Sequence, residues 1–244
     1  MVADFWIYLL VGFAAQIVDG AIGMAFGVIS TSLLLASGIA PAPASAAVRL
    51  AKIFTGAASG YAHWRIGNVD RVLCRRLVLP GMVGGAIGAL GVGYAPADIA
   101  RPLLAFYLLA MGLILVGKGL RQVTLRGDDK RIGILGFVGG LVDAMGGGWG
   151  PVVTSTLMAK GHEPRLAIGT ANLAEFFIAM VQSAVFFAIL GLVHLPIVAA
   201  LVIGGVAAAP LAARLTKILP PRALILAVGG LVSALSLYNL WLAF

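Results

Sequence analysis

Five ionisable side chains stand inside stretches that are otherwise strongly apolar: Asp19, Arg49, Lys52, Asp143 and Glu175. A charge at bilayer depth costs about 2.5–3.5 kcal/mol even on lenient insertion scales, so each needs a partner or a task. Arg49 and Lys52 are spaced i, i+3 and share one helix face. A guanidinium presents a planar fork to oxygen atoms and an ammonium a point charge, so this face suits a small anion. Asp19 and Asp143 mark breaks in their apolar runs. The first break is Asp19-Gly20 with Gly23, and the second is Asp143 with Gly146-Gly147-Gly148-Trp149-Gly150-Pro151. Glycine and proline there interrupt a helix. Freed N–H groups at such elbows, and helix starts near Met24 and Trp149, carry partial positive charge. Gly20, Gly23, Gly147, Gly148 and Trp149 are therefore candidates for the floor of an anion site, with Trp149 also a candidate gate. Ser30 in Ser30-Thr31-Ser32 and Thr154 in Thr154-Ser155-Thr156 are candidate hydroxyl donors, although such hydroxyls also bond their own i−4 carbonyls. Asn172 either lines the site or, like Gln182, bridges helices. The charge state of a buried carboxylate depends on its solvation and neighbours, so Asp19, Asp143 and Glu175 are candidates for proton coupling or for structural ion pairs.

The elements carrying these groups must lie in a membrane. Of 244 residues, 61% are hydrophobic and 11% charged, with a mean hydropathy of +1.06. Ordinary soluble domains are about a quarter charged, so a water-soluble protein is excluded. Runs such as 103–116, 195–213 and 223–244 approach or reach the length of about 20 residues that crosses a bilayer. The 33 glycines fit close helix packing in lipid. The net charge of +8 lies in short loops between apolar runs rather than on one folded face, which argues against nucleic acid and for an orientation signal. Cys74 is the single cysteine, so no internal disulfide forms. The first residues, Met1-Val2-Ala3-Asp4, lack the basic stretch of a secretory signal.

The chain repeats itself. Gly12-Phe13, Ile17-Val18-Asp19-Gly20 and Gly23 return 124 positions later as Gly136-Phe137, Leu141-Val142-Asp143-Ala144 and Gly147. Leu50-Ala51-Lys52-Ile53-Phe54 returns at an offset of 123 as Leu173-Ala174-Glu175-Phe176-Phe177. Two membrane repeats, 1–124 and 125–244, are expected within one transmembrane domain. Glu175 is the counterpart of Lys52, and the two are expected to pair where the halves meet.

Each half opens on a broken block, 5–37 and 132–159, too long for one helix and too short for two full crossings. If both blocks are re-entrant hairpins, three crossings per half remain, near 41–63, 77–95, 97–117, 164–190, 195–213 and 221–243. Fourteen Lys and Arg then face the cytoplasm, among them Arg126, Lys130 and Lys217, and Arg101 alone faces out. Eight full crossings give at best nine inside against six outside. The positive-inside rule favours the hairpins. An odd number of crossings inverts the second half, as in many secondary transporters. The expected fold is all-α and integral to a bacterial-type inner membrane, with both termini outside. His63, beside Trp64 and Arg65, is expected to anchor at the interface rather than relay protons. Trp6, Trp64 and Trp241 fit the aromatic belt. Asp128-Asp129 reads as a solvated pair.

Enzyme signatures are scarce: there is no H-E-x-x-H, P-loop or G-x-S-x-G, and no histidine pair has metal spacing. The expectation is a protein that is not an enzyme and holds no metal or cofactor. The repeated Val-Asp-(Gly/Ala) elbow, Ser45-Ala46-Ala47-Val48-Arg49-Leu50-Ala51-Lys52, the run from Ser59 to Gly67-Asn68-Val69-Asp70, and Leu79-Pro80-Gly81 with Gly84-Gly85 and Gly88 resemble the sulfite exporter TauE/SafE family of membrane transporters. The likeness covers nearly the whole chain, although the second half has no Gly-Asn-Val-Asp run. It implies secondary export of sulfite, an organosulfonate or a related small anion, coupled to protons. A passive anion channel and a non-transporting membrane scaffold with structural ion pairs are the alternatives.

Overall fold

The computed structural model describes residues 2–121, 131–215 and 220–242. Arg126, Asp128, Asp129, Lys130 and Lys217 lie outside the described residues. In chain order the elements are α1 (Val2–Ile22), α2 (Phe26–Ala36), α3 (Pro41–Arg65), α4 (Arg71–Tyr94), α5 (Ala97–Leu120) and α6 (Ile132–Asp143). A π-helical turn (Gly150–Thr154), α7 (Ser155–Ala159), α8 (Pro164–Leu190), α9 (Leu195–Leu215) and α10 (Pro221–Trp241) complete the chain. All regular structure among the described residues is helical.

Local chemistry sets many of these boundaries. α3, α8 and α10 begin on Pro41, Pro164 and Pro221, where proline's fixed φ suits a helix start and no donor is lost. Asp70 caps α4, its Oδ1 accepting the N–H groups of Val72 at 2.9 Å and Leu73 at 3.0 Å, as N-cap aspartates do. Two breaks require glycine outright. Gly23 ends the first with φ +71°, and Gly146 and Gly147 carry φ +134° and +101° in the second, a region disfavoured for other residues.

Six helices are long and apolar enough to cross a bilayer: the ranges Phe5–Ile22, Arg71–Tyr94, Ala97–Leu120, Pro164–Leu190, Leu195–Leu215 and Arg222–Trp241. This set differs from the expected crossings in one exchange. α1, expected to be a short limb, is a helix of 21 residues. α3, expected to be a crossing, has 25 residues but is not among the six. Its length suffices at about 1.5 Å per residue, while Arg49, Lys52 and a run of alanine, serine and glycine dilute its apolarity. Both expected breaks are present, with unequal limbs: α6 has only 12 residues.

Glycine contacts fix the helix registers. A Cβ on Gly12 would lie 2.6 Å from the carbonyl oxygen of Leu201, and one on Gly136 would lie 2.6 Å from that of Leu77. Both members of the second contact stand 124 positions from members of the first. Gly20 against Ala212 and Ala144 against Gly88 repeat the relation. α1 therefore runs parallel to α9 in the same register in which α6 runs parallel to α4. α3 and α8 cross antiparallel, with Gly60 against Leu173 and Gly56 against Phe176. The two ends of α5 hold the two limbs that leave the breaks. Arg101, in its first turns, donates to the carbonyl of Leu35 at 3.3 Å. Lys118, near its last turn, donates to the carbonyl of Pro151 at 2.8 Å and to the Ser155 hydroxyl.

Backbone contact of this kind leaves no room for a side chain. Gly12→Val and Gly136→Val are each expected to lower the melting temperature in detergent by more than about 2–4 °C, the shift about 1 kcal/mol produces in a chain of this size. Gly91→Ala, with nothing within 4 Å of the added Cβ, leaves it unchanged or raises it. A thermal-unfolding series on the three variants checks the register.

Candidate functional site

The five charged residues singled out in the sequence come together in one buried cluster. The last turn of α1 delivers Asp19, the middle of α3 Arg49 and Lys52, the last residue of α6 Asp143, and α8 Glu175. Asp19 Oδ2 is 2.5 Å from Lys52 Nζ, and Asp143 Oδ2 is 2.6 Å from Arg49 Nη1. Glu175 stands between the cations, its Oε2 3.0 Å from Lys52 Nζ and its Oε1 3.9 Å from Arg49 Nη1. All five are under 5% exposed. When every group is ionised, two cations and three carboxylates leave a net charge of −1. Lys52 is further held over the Phe26 ring, with Nζ 5.3 Å from its centroid, within cation–π range.

The elbows differ from expectation in what their N–H groups do. Asp19 Oδ1 accepts from the N–H groups of Ala25 at 2.9 Å and Phe26 at 3.2 Å, and Asp143 Oδ1 from that of Trp149 at 3.1 Å. Those donors were expected to face an anion. The chain's own carboxylates occupy them, because an aspartate six residues upstream reaches over the glycine turn and caps the limb beyond it. Gly20 lends its carbonyl to His63 at 3.0 Å and Gly23 to the Thr154 hydroxyl at 2.8 Å. A Cβ on Gly27 would fall 2.5 Å from the Cα of Gly147, so the two elbows touch. Gly148 packs against the Tyr107 hydroxyl. Trp149, read as a gate candidate, is fully buried and donates from its ring to the carbonyl of Ala171 at 3.0 Å; it fills the packing beside Gly139 and Gly81. Asn172 accepts from Ser59 at 3.3 Å and donates to the carbonyl of Ile168 at 3.0 Å.

One part of the cluster is left uncommitted. Arg49 Nε and Nη2 are buried and have no hydrogen-bond partner among the described residues. These atoms form the side edge of the guanidinium, the fork that grips two oxygens of one anion. The edge lies where the elbows meet: a Cβ on Gly27 would come within 2.7 Å of Nη2. The hydroxyls of Ser30, Thr31 and Ser45 are also buried without a partner among the described residues. Buried donors left this way cost about 1–3 kcal/mol each, so the arrangement calls for an acceptor.

Part of the polar surface escaped the sequence reading. Ser45, Arg49, Lys52, Gly56, Ser59 and His63 form one buried stripe on α3. Their spacing of four, three, four, three and four is the signal that could have found it. His63 is fully buried rather than interfacial, because Gly67 turns the chain back (φ +75°) and brings Asn68 beneath the ring. The Asn68 amide nitrogen lies 3.3 Å from Nδ1, which leaves Nε2–H to donate to Gly20. Trp6, Trp64 and Trp241 are exposed, as an aromatic belt requires.

Comparison with known proteins shows the family. A family model described as "Sulfite exporter TauE/SafE" matches residues 8–239, and the chain therefore belongs to that family of membrane transporters. It is 41% identical over 251 residues to "Probable membrane transporter protein YtnM" of Bacillus subtilis (strain 168), covering 97% of this chain and 84% of that protein. No solved structure matches.

Removing one partner of a buried ion pair costs about 3–5 kcal/mol, and the sign of the cluster's charge ranks the variants. Lys52→Met leaves three carboxylates with one cation and is expected to lower the melting temperature sharply. Glu175→Gln brings the ionised cluster to neutrality and is expected to cost little. Scanning calorimetry in detergent reads the order, and a larger loss for Glu175→Gln contradicts it.

Proposed function

We propose that this member of the TauE/SafE family is a secondary transporter that exports a small sulfur-containing anion, sulfite or an organosulfonate, in a proton-coupled cycle. The observation carrying the reading is the buried Arg49 edge, open on two donors at the junction of the two elbows. An oxyanion with two accessible oxygens satisfies both donors at once, and the buried setting makes the charge-assisted bonds strong. Lys52 contributes field more than contact, since two carboxylates already hold it. The elbows shape the floor through close backbone packing, with Ser30 and Thr154 at its margins.

The carboxylates give the cycle its coupling. An anion added to a cluster of net charge −1 meets repulsion, and a proton on Glu175, Asp19 or Asp143 removes one negative charge from its neighbourhood. Protonation and anion binding at Arg49 are then linked, as any two ligands of one site must be.

The membrane arrangement we propose is two halves, 1–124 and 125–244, inverted relative to one another in a bacterial-type inner membrane, with both termini outside. Support comes from the exchange-related contacts of α1 with α9 and α6 with α4. It comes also from the attachment of the two return limbs to opposite ends of α5. A scaffold reading has one observation in its favour: three close charge contacts already join the halves internally. Exchanging the pair in Lys52→Glu/Glu175→Lys separates the two, since a scaffold tolerates the swap and a transporter does not.

Two outcomes are expected for purified protein. Calorimetric titration with sulfite gives binding that Arg49→Ala lowers at least tenfold, the loss of about 1.4 kcal/mol, while the melting curve stays cooperative; unchanged affinity overturns the anion site. In proteoliposomes, Glu175→Gln is expected to retain sulfite exchange at equilibrium and to lose the response to an imposed pH gradient. Retained pH-driven accumulation removes Glu175 from the coupling.

A further inference from the structure

Two grooves flank the crossing of α3 and α8. The larger, of about 310 Å³, includes Leu50, Ile53, Met180, Ala184 and Phe187 in its lining. The smaller, of about 230 Å³, is lined by Ala57, Tyr61, Trp64, Leu173 and Phe176. Every residue of the smaller stands 123 positions from one of the larger: Ala57 from Met180, Tyr61 from Ala184, Trp64 from Phe187, Leu173 from Leu50 and Phe176 from Ile53. The grooves are thus the same place on the two halves, and what distinguishes them is chemistry at the rim.

The smaller groove ends in a charged aromatic clamp. Tyr61 and Trp64 pack with ring centroids 6.1 Å apart and are 55% and 47% exposed. The Arg65 guanidinium lies 5.9 Å from the Tyr61 ring centroid, and Nη1 donates to the Tyr61 hydroxyl at 3.4 Å. Arg65 is exposed and has no carboxylate within ion-pair distance among the described residues. Arg71 and Arg75 lie at the start of α4, both exposed. The position equivalent to Arg65 in the other half is Ala188, so the larger groove lacks the cation.

We propose that the smaller groove is a binding site for one anionic phospholipid, an acyl chain lying along Ala57, Leu173 and Phe176 and the phosphate on Arg65. Tyrosine and tryptophan favour headgroup depth, and basic pockets between helices are suited to acidic headgroups. A second copy of the chain is the poorer occupant: a twofold contact over this groove would bring two like-charged Arg65, Arg71 and Arg75 sets into one interface, which electrostatic complementarity disfavours. The site is independent of the transport reading.

The test is native mass spectrometry of protein released from vesicles of equal phosphatidylglycerol and phosphatidylcholine with identical chains. Wild type is expected to retain one phosphatidylglycerol, enriched about fivefold over phosphatidylcholine, the preference one surface cation supplies. Arg65→Gln brings the retained ratio to about that of the vesicles, and Arg65→Lys keeps the enrichment. Ala57→Phe, which fills the groove, removes the bound lipid, whereas Ala184→Phe in the equivalent groove leaves it. Equal retention of both lipids by wild type, enrichment that survives Arg65→Gln, or a dimer that Ala57→Phe dissociates overturns the proposal.

Discussion

Two buried cations on one helix face require carboxylates at bonding distance, and much of the described structure can be read as the means of bringing three there. Arg49 and Lys52 come on one helix face, but their partners come from three other helices: Asp19 from α1, Asp143 from α6 and Glu175 from α8. α1 and α6 must stop beside the cluster rather than pass it, so each ends in a glycine turn at positive φ. The aspartate before each turn then serves twice, one oxygen toward a cation and the other capping the chain beyond the turn. Close backbone packing at Gly12, Gly20, Gly88 and Gly136 sets how deep those ends reach. A change of one residue in either register moves an aspartate out of bonding distance.

The cluster is not balanced. Carboxylates outnumber cations, yet the side edge of Arg49 remains without an acceptor. Geometry explains the contrast: Asp143 and Glu175 both approach Nη1, and the elbows close around Nε and Nη2. A structural network optimised for stability alone would turn one of those carboxylates onto the fork. An uncommitted edge at the junction of the elbows suits the proposed anion carrier better than a scaffold. On the proposed function the excess of acid has a role as well: it resists an anion until protons arrive.

The sequence made much of this legible for physical reasons. Intramembrane charge is costly enough that all five residues stood out against their surroundings, and the offset between Lys52 and Glu175 placed them opposite each other. The offset of 124 likewise joined Asp19 to Asp143, which the structure uses in the same way twice. What sequence could not show was allegiance. Elbow N–H groups look free in a linear chain, and only the fold reveals that an aspartate six residues upstream reaches them. Trp149 looked like a gate for want of its partner, the carbonyl of Ala171. His63 read as interfacial from its neighbours Trp64 and Arg65, whereas the stripe through Ser45, Arg49, Lys52 and Ser59 would have placed it inside. α3 is the reverse case, a long helix whose own charges dilute the apolarity by which a crossing is recognised.

A structure of the protein saturated with sulfite tests the central claim most directly. The account predicts two anion oxygens within hydrogen-bond distance of Arg49 Nε and Nη2, with the contact between Gly27 and Gly147 parted around them and Lys52 still on Asp19. An anion bound elsewhere, with the Arg49 edge unchanged and its neighbours closed around it, would contradict the account.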